Sequence, residues 1–188
     1  EMNSNKIGSC LKHFPGYGNN TDTHTGIAID SRSLSDLEGC DLIPFAAGIE
    51  AGADAILVSH TIVEALDPEM PASLSPAVHD YLRNIMDFEG VIITDDLVMQ
   101  AITDAFGAEE AAVLAVEAGN DLLCSTEYAV QYEAVLRAAK EGRLSTELID
   151  SAVALGLSAI ALTDHDTIDG LNISAYRWDW FSNNDYVA

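Results

Sequence analysis

Four short apolar runs punctuate the chain, each bounded by Gly or a polar residue and each ending in Ser or Thr: 55–59 (AILVS), 91–94 (VIIT), 122–125 (LLCS) and 159–163 (AIALT). They are too short for helices. Unbroken rather than alternating apolarity marks strands buried on both faces, the habit of parallel sheets. A weaker run at 7–11 precedes Lys12 and is a fifth candidate strand. Between the runs the pattern changes to a helical period. Ser75 and Pro76 form an N-cap and first-turn pair that predicts a helix through Val78, Leu82, Ile85 and Met86. Residues 107–118, rich in Ala and Glu, predict a second helix. Tyr128, Tyr132, Val135, Leu136 and Ala139 share one face of a third, which Gly142 ends.

A short repeat joins helix to strand at 51–58 (AGADAILV), 118–123 (AGNDLL) and 155–162 (LGLSAIAL), with Gly closing each helix just before the next strand. Alternation at this spacing predicts an α/β chain of four to five βα units. In such sheets the chemistry belongs to the loops after the strands.

Charge narrows the ligands. With 31 acidic and 8 basic side chains the net charge is −23, and the Lys and Arg residues are scattered singly. That pattern excludes a nucleic-acid clamp or an anionic membrane surface and favours ligands that are neutral, cationic or very small. A chain of 188 residues that is 48% hydrophobic buries a core, yet falls short of the roughly 250 residues of a complete eight-unit barrel. Cys10, Cys40 and Cys124 show neither metal-ligand nor disulfide spacing. No apolar run approaches the ~18 residues of a membrane helix, and the first residues, EMNSNKIGS, lack an apolar signal core, so the expected compartment for the chain as given is the cytoplasm.

The strand ends hold the candidate chemistry. After the first strand, 12–24 (KHFPGYGNNTDTH) brings Lys12, His13, Asp22 and His24 into one turn-rich loop. Asp22 and His24, two apart, share a face of an extended stretch, and an Asp partner raises an imidazole pKa from its ordinary value of about 6.5 toward that of a proton donor at neutral pH. The run at 91–94 ends in Asp95 and Asp96. Asp95 stands where a barrel presents a nucleophile or ligand, Asp96 can cap a helix starting near Leu97, and both acting only as caps is the plain alternative. His60 follows the run at 55–59 as either a packed residue or a pocket residue.

Together, 12–18 (KHFPGYG), Asp22-Thr23-His24, Pro44-Phe45, 51–54 (AGAD), Ser59-His60, 71–74 (PASL) and 90–99 (GVIITDDLVM) resemble the β-N-acetylhexosaminidase branch of glycoside hydrolase family 3. The likeness runs from about Cys10 to Val153. It implies the second half of a TIM-type barrel and a retaining glycosidase that removes terminal, non-reducing β-linked N-acetylglucosamine from oligosaccharides, muropeptides or glycoconjugates, as in peptidoglycan recycling. The resemblance makes Asp95 the nucleophile, His24 the general acid/base and Asp22 the residue that orients His24. It puts Lys12 and His13 on sugar hydroxyls; His60 and Met99, at or just after strand ends, are candidates for the pocket lining by position alone. It implies no metal and no other cofactor, a saccharide as the partner, and neither nucleic acid nor membrane.

The chain also departs from that family. About four upstream βα units of the barrel have no counterpart, which predicts open sheet edges and a chain that is unstable, self-associated through them or incomplete. Tyr17 replaces a His common in the loop, and Asn19-Asn20 stand where an Asp is common. Residues 163–171 (TDHDTIDGL) resemble a motif of PHP-type metal-dependent phosphoesterases, with Asp164, His165 and Asp166 in its metal loop. The predicted organisation is therefore 1–154 as part of the glycosidase domain, 155–171 as a PHP-like βα segment and 172–188 as an aromatic and polar tail. Two rival readings stand beside the glycosidase: an inactive or oligomer-dependent fragment of one, and a phosphoesterase centred on Asp164–Asp166.

Overall fold

A computed structural model describes residues 7–18, 26–145, 148 and, for the backbone alone, 162–163. Its elements, in chain order, are β1 (Cys10–Phe14), β2 (Ile29–Asp30), α1 (Leu34–Glu38), α2 (Leu42–Glu50), β3 (Ala55–Val58), β4 (Ile62–Val63), α3 (Pro76–Asp80), β5 (Val91–Thr94), α4 (Gln100–Phe106), α5 (Ala108–Ala118), β6 (Leu123–Cys124), α6 (Tyr128–Lys140) and β7 (Leu162–Thr163). Strands β1, β3 and β5 pair in parallel in that order. A parallel bridge from Ile93 to Leu122 carries the row on to β6. Strand β7 pairs with β6, Leu123 against Leu162 and Cys124 against Thr163. The chain is thus an open part of a (β/α) barrel.

The strands bury their two faces unequally. Ile56, Val58, Ile92 and Thr94 are fully buried against the helix layer, whereas Ala55, Leu57, Val91 and Ile93, on the face that would line a barrel, are only half-buried. The apolar runs are therefore continuous because both faces avoid water, but only one of them is closed among the described residues.

Strand β1 corrects its expected place. It covers Cys10–Phe14 rather than 7–11, so Lys12 and His13 belong to the strand and not to the loop after it. Leu11 pairs with Ile56 and Phe14 with Val58. Two residues of β1, Lys12 and His13, therefore oppose one of β3, Leu57, which is a β-bulge. In an unbroken strand residues 11 and 14 would face opposite ways. The extra residue lets Leu11 and Phe14 both pack into the helix-side core, where Phe14 meets Phe45 edge to face at 5.1 Å. Lys12 is left exposed and His13 half-buried.

The helices follow their caps. Ser33 and Asp36 form a reciprocal capping box that starts α1. Pro44 is tolerated in the first turn of α2, where its missing N–H has no helical partner. Ser75 caps α3 as expected, its hydroxyl accepting from Val78 N–H at 3.2 Å. That helix is regular only to Asp80, and residues 81–85 continue as a π turn, with Met86 N–H bonded to Tyr81 C=O. The wider turn rotates Ile85 outward to 68% exposure, although its spacing placed it on the buried face.

Helix α6 corrects a second expectation. Its buried face is Gln131, Ala134 and Ala138, while Tyr128 and Tyr132 are exposed. The partner helix α5 buries Ala111, Ala112 and Ala115, and two Ala-rich faces approach more closely than a tyrosine ring at the seam would allow. Two of the three repeated glycines close helices: Gly119 caps α5 with φ 105°, and Gly52, φ 80°, follows α2, while Gly156 lies outside the described residues. Among the described residues no helix is long and apolar enough to cross a membrane.

Candidate active site

At the carboxyl ends of the parallel strands the ladder sets one row. Ser59 N–H donates to Phe14 C=O at 2.9 Å, and Asp95 N–H to Val58 C=O at 3.0 Å. Lys12 and His13 on β1, Ser59 and His60 after β3, and Asp95 and Asp96 after β5 therefore share one edge. With strands about 4.8 Å apart, His13 and Asp95 lie on the order of 10 Å from one another across β3. His13 also stacks edge to face on Tyr17, ring centroids 5.2 Å apart.

The two neighbouring aspartates are put to different uses. Asp95 is 8% exposed, and its Oδ1 accepts the N–H of Asp96 at 2.9 Å. Its Oδ2 takes no hydrogen bond from the described residues. Among the described residues, then, one oxygen is fixed and the other is free of donors. Asp96, 4% exposed, accepts Val98 N–H on Oδ1 at 3.0 Å and Met99 N–H on its carbonyl at 3.1 Å. The sequence left open whether these residues merely cap. Asp96 does cap a turn, but α4 begins at Gln100 rather than near Leu97, because Leu97 is fully buried in the second core cluster with its N–H on Cys124 C=O. Half-buried Met99 stands at the end of that turn.

His60 lies beneath the row. No part of it reaches solvent; its Nδ1 is 2.7 Å from Ser73 Oγ and its Nε2 2.9 Å from Asp96 C=O. A carbonyl can only accept, so Nε2 carries the proton, and Nδ1 accepts from the Ser73 hydroxyl. Burial pushes the imidazole pKa below its ordinary value, which keeps this tautomer neutral. His60 therefore supports the Asp95–Asp96 turn from below instead of opening onto the row.

Asp22 and His24 fall outside the described residues, as do Asp164, His165 and Asp166. The flanks of 19–25 are described, and they reveal a group that the sequence reading missed. Arg32 donates from Nη2 to Asp30 Oδ2 at 2.6 Å, from Nε to Asp30 Oδ1 at 3.0 Å, and from Nη1 to Asp41 Oδ2 at 2.7 Å. The guanidinium hydrogen bond holds the Asp30 carboxyl below the usual carboxylate range despite partial burial. The only signal in the sequence was the spacing of Asp30 and Arg32, two apart on an extended stretch. Asp41 is remote from both and carried none.

An open sheet with a buried carboxylate at the mouth of a central strand places the chain in a class, the (β/α) barrels, whose sites lie at their strand ends. The family comparison is specific. The profile described as "Glycosyl hydrolase family 3 N terminal domain" matches residues 1–157, and the chain belongs to that family. It is 43% identical over 130 residues to a β-hexosaminidase of Stenotrophomonas maltophilia, covering 67% of this chain and 38% of that protein. It is 38% identical over 154 residues to a β-hexosaminidase of Xanthomonas oryzae, covering 80% and 45%. Among solved structures it resembles a family 3 β-N-acetylglucosaminidase from Paenibacillus, with TM-score 0.77 and 37% identity over 83% of this chain and 31% of that one. The chain thus spans less than half the length of these relatives.

Proposed function

We propose that this chain carries the nucleophile and the acid/base of a retaining β-N-acetylhexosaminidase acting on terminal, non-reducing β-linked N-acetylglucosamine. The observation that carries the reading is Asp95: a carboxylate with one oxygen fixed by Asp96 N–H and the other without a donor among the described residues, at the carboxyl end of β5, in a chain whose relatives are named β-hexosaminidases. In this reading Asp95 attacks the anomeric carbon while His24, oriented by Asp22, gives its proton to the departing oxygen. The bond to the leaving sugar breaks as the Asp95 ester forms. His24 then takes a proton from water, which attacks the same carbon and frees the carboxylate. The bulge at Lys12–His13 turns both side chains off the core face, and they hold sugar hydroxyls. Met99 lines the pocket, and His60 holds the nucleophile's turn.

The test is hydrolysis of an aryl N-acetyl-β-glucosaminide by the purified chain beside Asp95→Asn and His24→Ala. Turnover lost in Asp95→Asn, with the β-anomer released first in the native chain, supports the reading. A folded native chain without turnover overturns it for this chain. The half-buried face of the strands favours a companion reading in which a second copy covers that face. Sedimentation of a single monomeric, active species would sink that companion reading.

A further inference from the structure

Residues 19–25 leave the described structure at Gly18 and return at Gly26, and both flanks lead to the same guanidinium. On the first flank Gly16 N–H closes a turn on His13 C=O at 2.8 Å. A Cβ placed on Gly16, φ 119°, would lie 2.7 Å from Asp41 Oδ1; one placed on Gly18, φ 54°, would lie 2.7 Å from Arg32 Nη2 and 3.0 Å from its Cζ. The backbone after β1 therefore rests directly on the Asp41 carboxylate and the Arg32 guanidinium. It has room there only because both residues are glycine.

On the second flank Ala28 and Asp30 accept from Ile62 and Glu64 N–H, so the returning chain is laced to β4. Asp30, 4% exposed, then turns its carboxylate onto Arg32. The third partner, Asp41, immediately precedes α2 and is only 10% exposed. One cation thus joins both flanks to the helix layer. A planar fork suits this task, because a lysine ammonium cannot meet two carboxylates in parallel pairs.

We propose that Arg32, with Asp30 and Asp41, is a positioning residue that fixes where 19–25 begins and ends, and so sets the reach of His24 toward the bond being cleaved. The proposal rests on the acid/base role given to His24. Among the described residues Arg32 meets its two carboxylates and the glycine backbone, so the group is argued as a positioning site and not as a second catalytic centre.

Two readouts test it on the full chain. Hydrogen exchange of peptides within 15–30 is expected to quicken about tenfold in Arg32→Gln, as expected for loss of charge-assisted hydrogen bonds, with peptides of β3 and β5 unchanged. Where Arg32→Gln does not fold, Asp41→Asn decides, because it cuts the tie from Arg32 to the helix layer and leaves the Arg32–Asp30 pair intact. Arg32→Lys should recover part of the protection. In turnover of the aryl glycoside, these variants should lower kcat more than they raise KM and move the limb of the pH profile due to the acid/base. Unchanged exchange at 15–30, an equal rise in β3 and β5, or full kcat in a variant with a faster-exchanging 15–30 would overturn the proposal. A native chain without turnover removes the catalytic reading instead, while the exchange pattern still decides whether Arg32 is the clamp.

Discussion

His60 Nε2 donates to the carbonyl of Asp96 across 2.9 Å, from a position with no solvent exposure, while Ser73 Oγ donates to the other ring nitrogen. His60→Ala would take the partner from the buried Ser73 hydroxyl, leave the Asp96 carbonyl with Met99 N–H alone, and open a cavity. It should cost about 3 kcal/mol, and His60→Gln, which retains a donor, about half of that. Urea melts of the three proteins check the order.

The same residue makes stability depend on pH. His60 and His79 both have pKa values pushed down by burial from the ordinary 6.5. As pH falls below 6.5 the unfolded chain takes up protons that the folded chain refuses, so stability declines toward acid until the folded pKa values are reached. The slope approaches about 1.4 kcal/mol per pH unit for each histidine. Urea midpoints at successive pH values from 7.5 to 5 should fall, and less steeply in His60→Gln.

Asp30 adds a lower window. Its folded pKa lies below the ordinary carboxylate value, chiefly through the Arg32 hydrogen bond, so its contribution is complete above about pH 4 and disappears as pH drops through the folded value. Asp30→Asn should flatten the stability curve below pH 4 and lower the plateau at neutral pH. Thermal melts over pH 2–7 read both effects.

Two glycines should respond differently to the same methyl group. At Gly119, φ 105°, a Cβ meets His79 only at ordinary distances of 3.6 Å and beyond, so Gly119→Ala costs backbone strain alone, about 1 kcal/mol. At Gly90 a Cβ would lie 2.5 Å from the Asp54 carbonyl and from the Phe88 ring. Gly90→Ala should be the more damaging by at least about 1 kcal/mol, as paired denaturation curves will report.

Arg83 spans the amino-terminal side of the sheet, donating to the carbonyls of Phe88 and Gly90 and, at 2.6 Å, to Asp121, which also accepts Ile92 N–H at 2.7 Å. Arg83→Met leaves that carboxylate without its cation and should cost about 3 kcal/mol. Because the site lies at the opposite edge, any turnover of the folded variant should stay near that of the native chain.

The parallel sheet was legible because its strands avoid water on both faces, so 55–58, 91–94 and 122–125 stood out without periodicity. Strand β1 was misplaced because Lys12 and His13 look like loop residues, and no local rule announces a bulge. Strands β2 and β4 are two-residue ladders made by loops, too short for any pattern. On α6 the bulky Tyr128 and Tyr132 suggested a face that close packing on Ala111, Ala112 and Ala115 gives to Ala134 and Ala138 instead. At the site, Asp95 and Asp96 were legible from their place after an apolar run. The Asp30–Arg32–Asp41 group was not, because its members acquire meaning only when the turn after β1 folds over them.

The bulge in β1 separates what the core needs from what the mouth of the sheet displays. Losing one residue between Leu11 and Phe14 would leave a regular strand, in which residues two apart share a face, so Phe14 would keep its pairing with Val58 and its place against Phe45. What would go is one of the two side chains, Lys12 or His13, set opposite Leu57. The extra residue therefore serves display in front of the sheet and not packing behind it, and a one-residue deletion there should spare the fold while stripping the mouth of one polar group.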